Sequence, residues 1–289
     1  MIELILNTIV AGILLGGFYT LISLGLSIAF GLINVSNIAH PTFVLAGAYF
    51  AYTLYTAFGI DPIISGVISI PLFFIIGVFL YRAYNVLIEK RGHEKGLISL
   101  VFLFSLLILI EVVLLMIFGA DWRSVYTPYM VQSVKVGMLS IPLRMFIPFV
   151  IALVVDIFFY YLFSKTFFGL GVRAIAQNPS AAMLMGYNPL RINMLAFGIS
   201  LASAALGGSL LIMIQPIYPF SDRAYIGRVF AVVVLGGMGS LYGTIVASII
   251  LGLVEAVVAV FLGASWSMLI SFAILLLTLL LKPEGLFRR

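Results

Sequence analysis

Long apolar runs broken by short polar interruptions dominate the chain. Residues 4–33 carry no charge. As a helix at 1.5 Å per residue they would reach ~45 Å, more than the ~30 Å hydrocarbon core of a bilayer. This predicts either one long tilted helix or a helix followed by a broken second segment. Gly12 and Gly16 form a GxxxG pair, which suits close packing of membrane helices. GLINVSNIAHPTF then interrupts the apolar text with Asn34, Ser36, Asn37, His40 and Pro41. Further spans are predicted at about 41–58, 62–81, 97–118, 144–163, 192–214, 243–262 and 266–281. Residues 225–238 are apolar but short and end in GGMGS, which predicts a short or broken helix. The alternating text SVKVGMLSIP predicts a surface hairpin.

The pattern therefore predicts an all-α, polytopic inner-membrane protein with about nine (8–10) transmembrane helices, some short or broken, in one domain covering 1–289. Composition agrees: 64% of residues are hydrophobic and 9% charged, against about 25% charged in ordinary globular domains. That excludes a soluble enzyme, a nucleic-acid binder, a disordered chain and a secreted disulfide scaffold. The N-terminus has no basic region and its apolar run is long, so it reads as part of the mature protein rather than a cleaved signal.

Charge sets the orientation. With nine spans, one side collects Arg82, Lys90, Arg91, Lys95, Lys165, Arg173, Arg191, Lys282, Arg288 and Arg289. The other collects Arg123, Lys135, Arg144, Arg223 and Arg228. The loops at 82–96 and 164–191 and the C-terminal tail are expected on the cytoplasmic side, and the N-terminus outside. Ten spans would place the N-terminus inside. Lys282, Arg288 and Arg289 are expected to anchor the last span to the anionic inner leaflet, with packing against the 164–191 loop as the second reading of KPEGLF.

Several chemistries are missing from the text. There is no GxxxxGK[ST] phosphate loop, no HExxH, no GxSxG and no cysteine, and His40 and His93 stand far apart. No catalytic, cofactor or metal residues are assigned. Three carboxylates fall within predicted spans: Glu111, Asp156 and Glu255. Such groups read either as an ion relay in a self-sufficient secondary transporter or as groups facing protein or a wet path. No Lys or Arg is expected mid-span to switch with them.

The loop 169–191, GLGVRAIAQNPSAAMLMGYNPLR, has its own logic. Asn178 is a good N-cap, Pro179 suits the first helical position, and Gly186 is a natural stop. A short helix is expected to display Ala181, Ala182, Met183, Leu184 and Met185, either to a soluble partner or to the lipid interface.

Here Ala182 and Gly186, within SAAMLMGYN, resemble the coupling loop of ABC-importer permeases. GVRAIAQNPSAAMLMGYNP, LGGMGSLYGTIVASIILG, KPEGLF and NIAHPTFVLAGAY together resemble the branched-chain amino-acid ABC permeases of the LivH type, from about residue 30 to the C-terminus. The chain departs from that family at Pro41 and Thr42, where a glycine and often an acid stand. The resemblance implies a non-catalytic subunit forming half of a solute pathway, with no cofactor of its own. A second homologous permease, two soluble ATPases carrying ATP and Mg, and an extracytoplasmic solute-binding protein would complete the importer. It implies ATPase coupling through Asn178 to Gly186. Broken helices at mid-membrane offer amides and carbonyls to a zwitterion, which makes Asn34, Asn37, His40, Gly236, Gly237, Gly239 and Tyr242 the candidate pathway residues. Both stretches precede a span entered from the same side, a hint of an internal repeat. Importers of amides, urea or sugars remain open within the same machinery.

Overall fold

The computed structural model describes residues 1–89 and 95–287. Lys90, Arg91, His93, Arg288 and Arg289 lie outside the described residues. The helices, in order, are α1 (Ile2–Gly31), α2 (His40–Phe58), α3 (Pro62–Tyr84), α4 (Lys95–Phe118), α5 (Leu143–Lys165), α6 (Phe167–Gln177), α7 (Pro179–Leu184), α8 (Pro189–Ile214), α9 (Arg223–Gly236), α10 (Leu241–Phe261) and α11 (Ala264–Leu281). A π-helical turn, Asn85–Glu89, extends α3. The alternating stretch forms the expected antiparallel hairpin of β1 (Ser133–Val136) and β2 (Leu139–Pro142).

Among the described residues, seven helices are long and apolar enough to cross a bilayer: α1, α3, α4, α5, α8, α10 and α11. The other two expected spans differ. α2 opens with His40, Pro41 and Thr42 and carries Tyr49, Tyr52 and Tyr55. α9 has 14 residues, ~21 Å at 1.5 Å per residue, too short to cross.

α1 is one uninterrupted helix, which decides between the two readings of the first apolar run. Near its start, Asn7 bonds the Met138 carbonyl and accepts from the Ser140 amide in the hairpin. At its end, Gly31 meets Gly239. The N-terminus and hairpin therefore share one side. The end of α1, the end of α9 and the tail at Gly285 share the other. The second side is the one that the charge asymmetry of the sequence leads us to expect at the cytoplasm.

Helices α1 and α8 form the centre. Of α8's apolar window 89% is buried, against 17% for α11, so α11 presents most of its surface outward. Two helix pairs pack most closely, α1 with α10 and α3 with α8. Both pairings rest on glycine. A Cβ on Gly16 would lie 2.7 Å from the Ile249 Cα, and one on Gly12 would lie 2.8 Å from the Leu253 Cα. On the other pair, a Cβ on Gly77 would lie 2.8 Å from the Gly198 Cα. Backbones approach that closely only without side chains, and this is where membrane helices gain dispersion contacts.

The matched pairs expose a repeat. Helices α1 to α4 and α8 to α11 each run long helix, re-entering helix, long helix, long helix. α1 runs inward and α8 outward, so the two halves are inverted, as in many transporter folds. The loop 32–39 therefore corresponds to 215–222. The pairing of 34–40 with 236–242 suggested by the sequence does not hold, because both of those stretches lead into helices that start from the inner side.

The glycine contacts generate a stability test. Gly16→Val puts a branched side chain into the Ile249 backbone and should cost about 1–3 kcal/mol, read as a lower melting temperature in detergent. Gly96→Ala, with nothing within 4 Å, should leave it unchanged or slightly raised.

Candidate coupling helix and buried polar sites

The short helix α7 is built as its sequence indicates. The Asn178 side chain accepts from the Ala181 amide at 3.0 Å, with Pro179 at the first helical position. Gly186 takes φ 88° and ends the helix. The six residues sit on firmer support. α6 was not anticipated as a separate helix; its Thr166 cap accepts from the Gly169 amide, and Arg173 donates to the Phe163 carbonyl. Gly171 lies under the Tyr187 ring. Met183, Leu184 and Met185 point outward, with Leu184 90% exposed. Ala182 does not join them. It is buried against the supporting elements, because a helix this short must turn one face inward. Ala181 is exposed.

Behind α7 a cleft of about 610 Å³ is lined by Tyr81, Asn85, Pro179, Met183, Tyr187 and Asn193, among others. A second cavity of about 240 Å³ adjoins it through Tyr81, Pro179 and Asn193, and reaches Asn34 and Ser36. Asn34 adopts φ 54°, the left-handed conformation that asparagine tolerates. It is exposed toward the inner side.

Asn37 and His40 lie deeper and are fully buried. The His40 ring Nε2 pairs with the Ile22 carbonyl at 2.9 Å, in the middle of α1, while its Nδ1 has no partner. Both amide atoms of Asn37 lack partners as well. Nearby, the Ser200 hydroxyl donates to the Gly25 carbonyl at 2.6 Å. Helices α1, α2 and α8 therefore meet at Gly25, whose missing side chain leaves room for His40 and Ser203.

The other expected pathway stretch is elsewhere. Gly236 packs on Gly243, Gly237 on Gly285, and Gly239 on Gly31. Leu286 donates its amide to the Leu235 carbonyl at 2.8 Å, and the rings of Tyr242 and Phe287 meet edge-on at 5.6 Å. The glycines thus form a close backbone junction at the inner end of α9. The tail packs there, not on the 178–186 loop. The structure separates Gly236–Tyr242 from Asn37 and His40 instead of joining them.

The three span carboxylates have different surroundings. Sequence reasoning expected no mid-span Arg or Lys beside them, and the structure overturns that for two. Arg228, from α9, donates through Nε to Glu255 at 2.9 and 3.1 Å. Glu255 also accepts from Tyr19 at 2.6 Å and from Ser271. This cluster ties α9 to α1, α10 and α11, and it is nearly dry: the Arg228 side chain is 15% exposed. Arg223 forks onto Glu111 of α4, with Nε at 3.2 Å and an Nη at 3.4 Å. Asp156 on α5 is buried, and one of its oxygens has no partner. The arginines were missed because α9 is short. Counting residues placed Arg223 and Arg228 in an outer loop, whereas the chain re-enters before α9 begins.

Two further contacts fix that re-entry. Arg123 and Ile217 exchange backbone hydrogen bonds at 2.7 and 2.8 Å, and the Trp122 and Tyr218 rings lie 4.4 Å apart. Beside them Tyr129 donates to Asp61 at 2.7 Å, and burial pushes its phenol up to about 12. At the start of α9, Thr42 of α2 donates to Asp222 at 2.5 Å. An acid does stand beside the Pro41–Thr42 turn, contributed by the other half of the chain.

The family profile described as "branched-chain amino acid transport system / permease component" matches residues 8–279. The high-affinity branched-chain amino acid transport system permease protein LivH of Escherichia coli K12 is 28% identical, covering 96% of this chain and 94% of that protein. BraD of Pseudomonas aeruginosa, named likewise, is 27% identical over 98% and 96%. The probable LivH of Methanocaldococcus jannaschii is 26% identical over 95% and 90%. E. coli LivM is 33% identical over 39% of this chain. No solved structure matches.

The Arg228 cluster can be tested by stability. Arg228→Met alone strands a buried carboxylate and should cost about 3–5 kcal/mol, whereas adding Glu255→Leu should recover much of that loss. Equal melting temperatures in detergent for the single and double variants would contradict the pairing.

Proposed function

The chain belongs to the permease-component family of branched-chain amino acid transport systems, and on that premise we propose that it is the transmembrane subunit of an ATP-driven importer for branched-chain or related amino acids. In this reading it forms half of the solute path beside a second, homologous permease. Two soluble ATPases hold ATP and Mg and drive the cycle, and an extracytoplasmic binding protein delivers the solute. The chain itself is non-catalytic.

One observation carries the reading: α7 exposes Met183, Leu184 and Met185 on a capped, supported helix. Exposed apolar tips on a rigid mount suit insertion into a groove of a soluble partner. Force on α7 passes to α8, which starts at Pro189. Asn193 of α8 donates to the Tyr81 hydroxyl of α3 at 3.1 Å, so α3 and α8 would move together. Coupling then requires that the ATPases contact the two states of the permease differently.

An ion-coupled carrier is the competing reading. Its support is the unpartnered oxygen of Asp156. Against it, Glu111 and Glu255 are already neutralised by arginines.

Leu184→Arg, expressed with the native partner proteins, should leave membrane insertion intact and lower solute-stimulated ATP hydrolysis about tenfold, since a charge enters an apolar contact. Co-purification in mild detergent should recover stoichiometric ATPase with the native chain and little with the variant. Uptake that survives loss of the ATPases but collapses with a protonophore would replace this reading with the ion-coupled one.

A further inference from the structure

The side chain of Arg223 is 65% exposed, while the Glu111 it grips is 4% exposed. Glu111 lies ~10 Å inward of the Phe118 end of α4, at 1.5 Å per residue. A guanidinium that far into the membrane slab cannot face hydrocarbon without a large penalty. Its open side must meet water, protein or an anion. The surroundings form a built site. Asp222, 1% exposed, has one oxygen bonded to Thr42 and lies beside the Glu111 carboxylate, its other oxygen enclosed by protein. Phe220 lies under the guanidinium at 4.7 Å, holding it flat. Glu111 engages one edge of the fork, Nε and one Nη. Arginine has five N–H donors, so the other edge keeps donors for a second planar anion. The start of α9 adds the positive end of its helix dipole at this spot.

We propose that Arg223 is the group that receives the α-carboxylate of the amino acid inside the membrane. Glu111 acts as the positioning residue that orients the guanidinium, and Asp222, buried beside Glu111, backs it from within the protein. The site lies at the centre of the inverted repeat, where the start of α2 and the start of α9 meet through Thr42 and Asp222. This rests on the importer reading above. It adds a specificity element to the permease that is separate from selection by a soluble binding protein. A solute without a carboxylate would leave the fork unpaired at mid-membrane.

The chain has no cysteine, which makes a charge-rescue experiment clean. The native complex and Arg223→Cys are each reconstituted in proteoliposomes with the partner permease, ATPases and leucine-loaded binding protein, and ATP-dependent leucine uptake is measured. We expect uptake by Arg223→Cys to fall about tenfold or more, as expected for loss of a charge-assisted bidentate contact. Modification with a positively charged aminoethyl thiosulfonate should restore a substantial part of it. The negatively charged sulfonatoethyl reagent should not, and leucine should slow labelling. Three results would overturn the assignment: uptake within twofold of native, equal rescue by both reagents, or loss of the partner permease on purification. The last would make Arg223 an interface residue. ATP-independent uptake by the native complex would instead defeat the importer reading itself, so the two failures are distinguishable.

Discussion

A fourteen-residue helix cannot cross a bilayer, and the rest of this architecture is arranged around that constraint. α9 must begin inside the membrane slab, where the preceding loop has no water to bond with. The chain meets the requirement by tying the re-entering segment to its neighbours. Backbone bonds between Arg123 and Ile217 hold the segment, Thr42 ties it to α2 through the Asp222 side chain, and two arginines fasten the helix to Glu111 and Glu255. The inner end is held differently. There the glycines at 236, 237 and 239 let α10, the tail and the end of α1 approach the backbone directly. One end of α9 is thus fixed by charge and the other by close packing.

Much of the fold was legible because apolar periodicity and length act locally. The seven clear spans, the hairpin in SVKVGMLSIP and the Asn178–Gly186 helix all depend on residues close in sequence. The candidate sites were less legible because they are made by long-range pairing. His40 meets Ile22 across a turn, whereas Thr42 meets Asp222 and Glu111 meets Arg223 from opposite halves of the chain. No local signal distinguishes an arginine in an outer loop from one on a re-entrant helix. The cue that existed was the shortness of the 225–238 apolar run; a run unable to span should have drawn its flanking arginines into the membrane. Ala182 failed for a different reason. Composition alone said that α7 was apolar, and only packing decides which face is turned inward.

The inverted repeat explains why the polar groups divide as they do. Each half contributes a long central helix, α1 or α8, and a helix that starts part-way through the membrane, α2 or α9. The α2 side carries buried amide and imidazole groups with unfilled bonding capacity, Asn37 and His40. The α9 side carries fixed charges. Unpaired buried polar atoms are costly in a static core, and at the α1–α2–α8 seam Asn37 and His40 carry three of them. The Arg228 cluster is the opposite case. Every strong acceptor position there is filled by Tyr19, Ser271 or the arginine, which suits a rigid element and not a binding surface.

That contrast bears on how force at α7 could reach the pathway. α7 rests on α6 and α8, and α8 is locked to α3 by Gly77, Gly198 and the Asn193–Tyr81 bond. α9, α10 and α11 are locked to α1 through Glu255 and the Gly16–Gly252 approach. Two well-tied bodies therefore meet along a seam of small residues, Gly25, Ser200 and Ser203, with His40 beside it. Packed interiors resist continuous deformation, so displacement imposed at α7 concentrates where few large side chains interdigitate. That seam also holds the unpartnered atoms of Asn37 and His40. On the importer reading proposed above, a small shift there would change which of those atoms can reach water, and a coupled cycle requires such a difference between states.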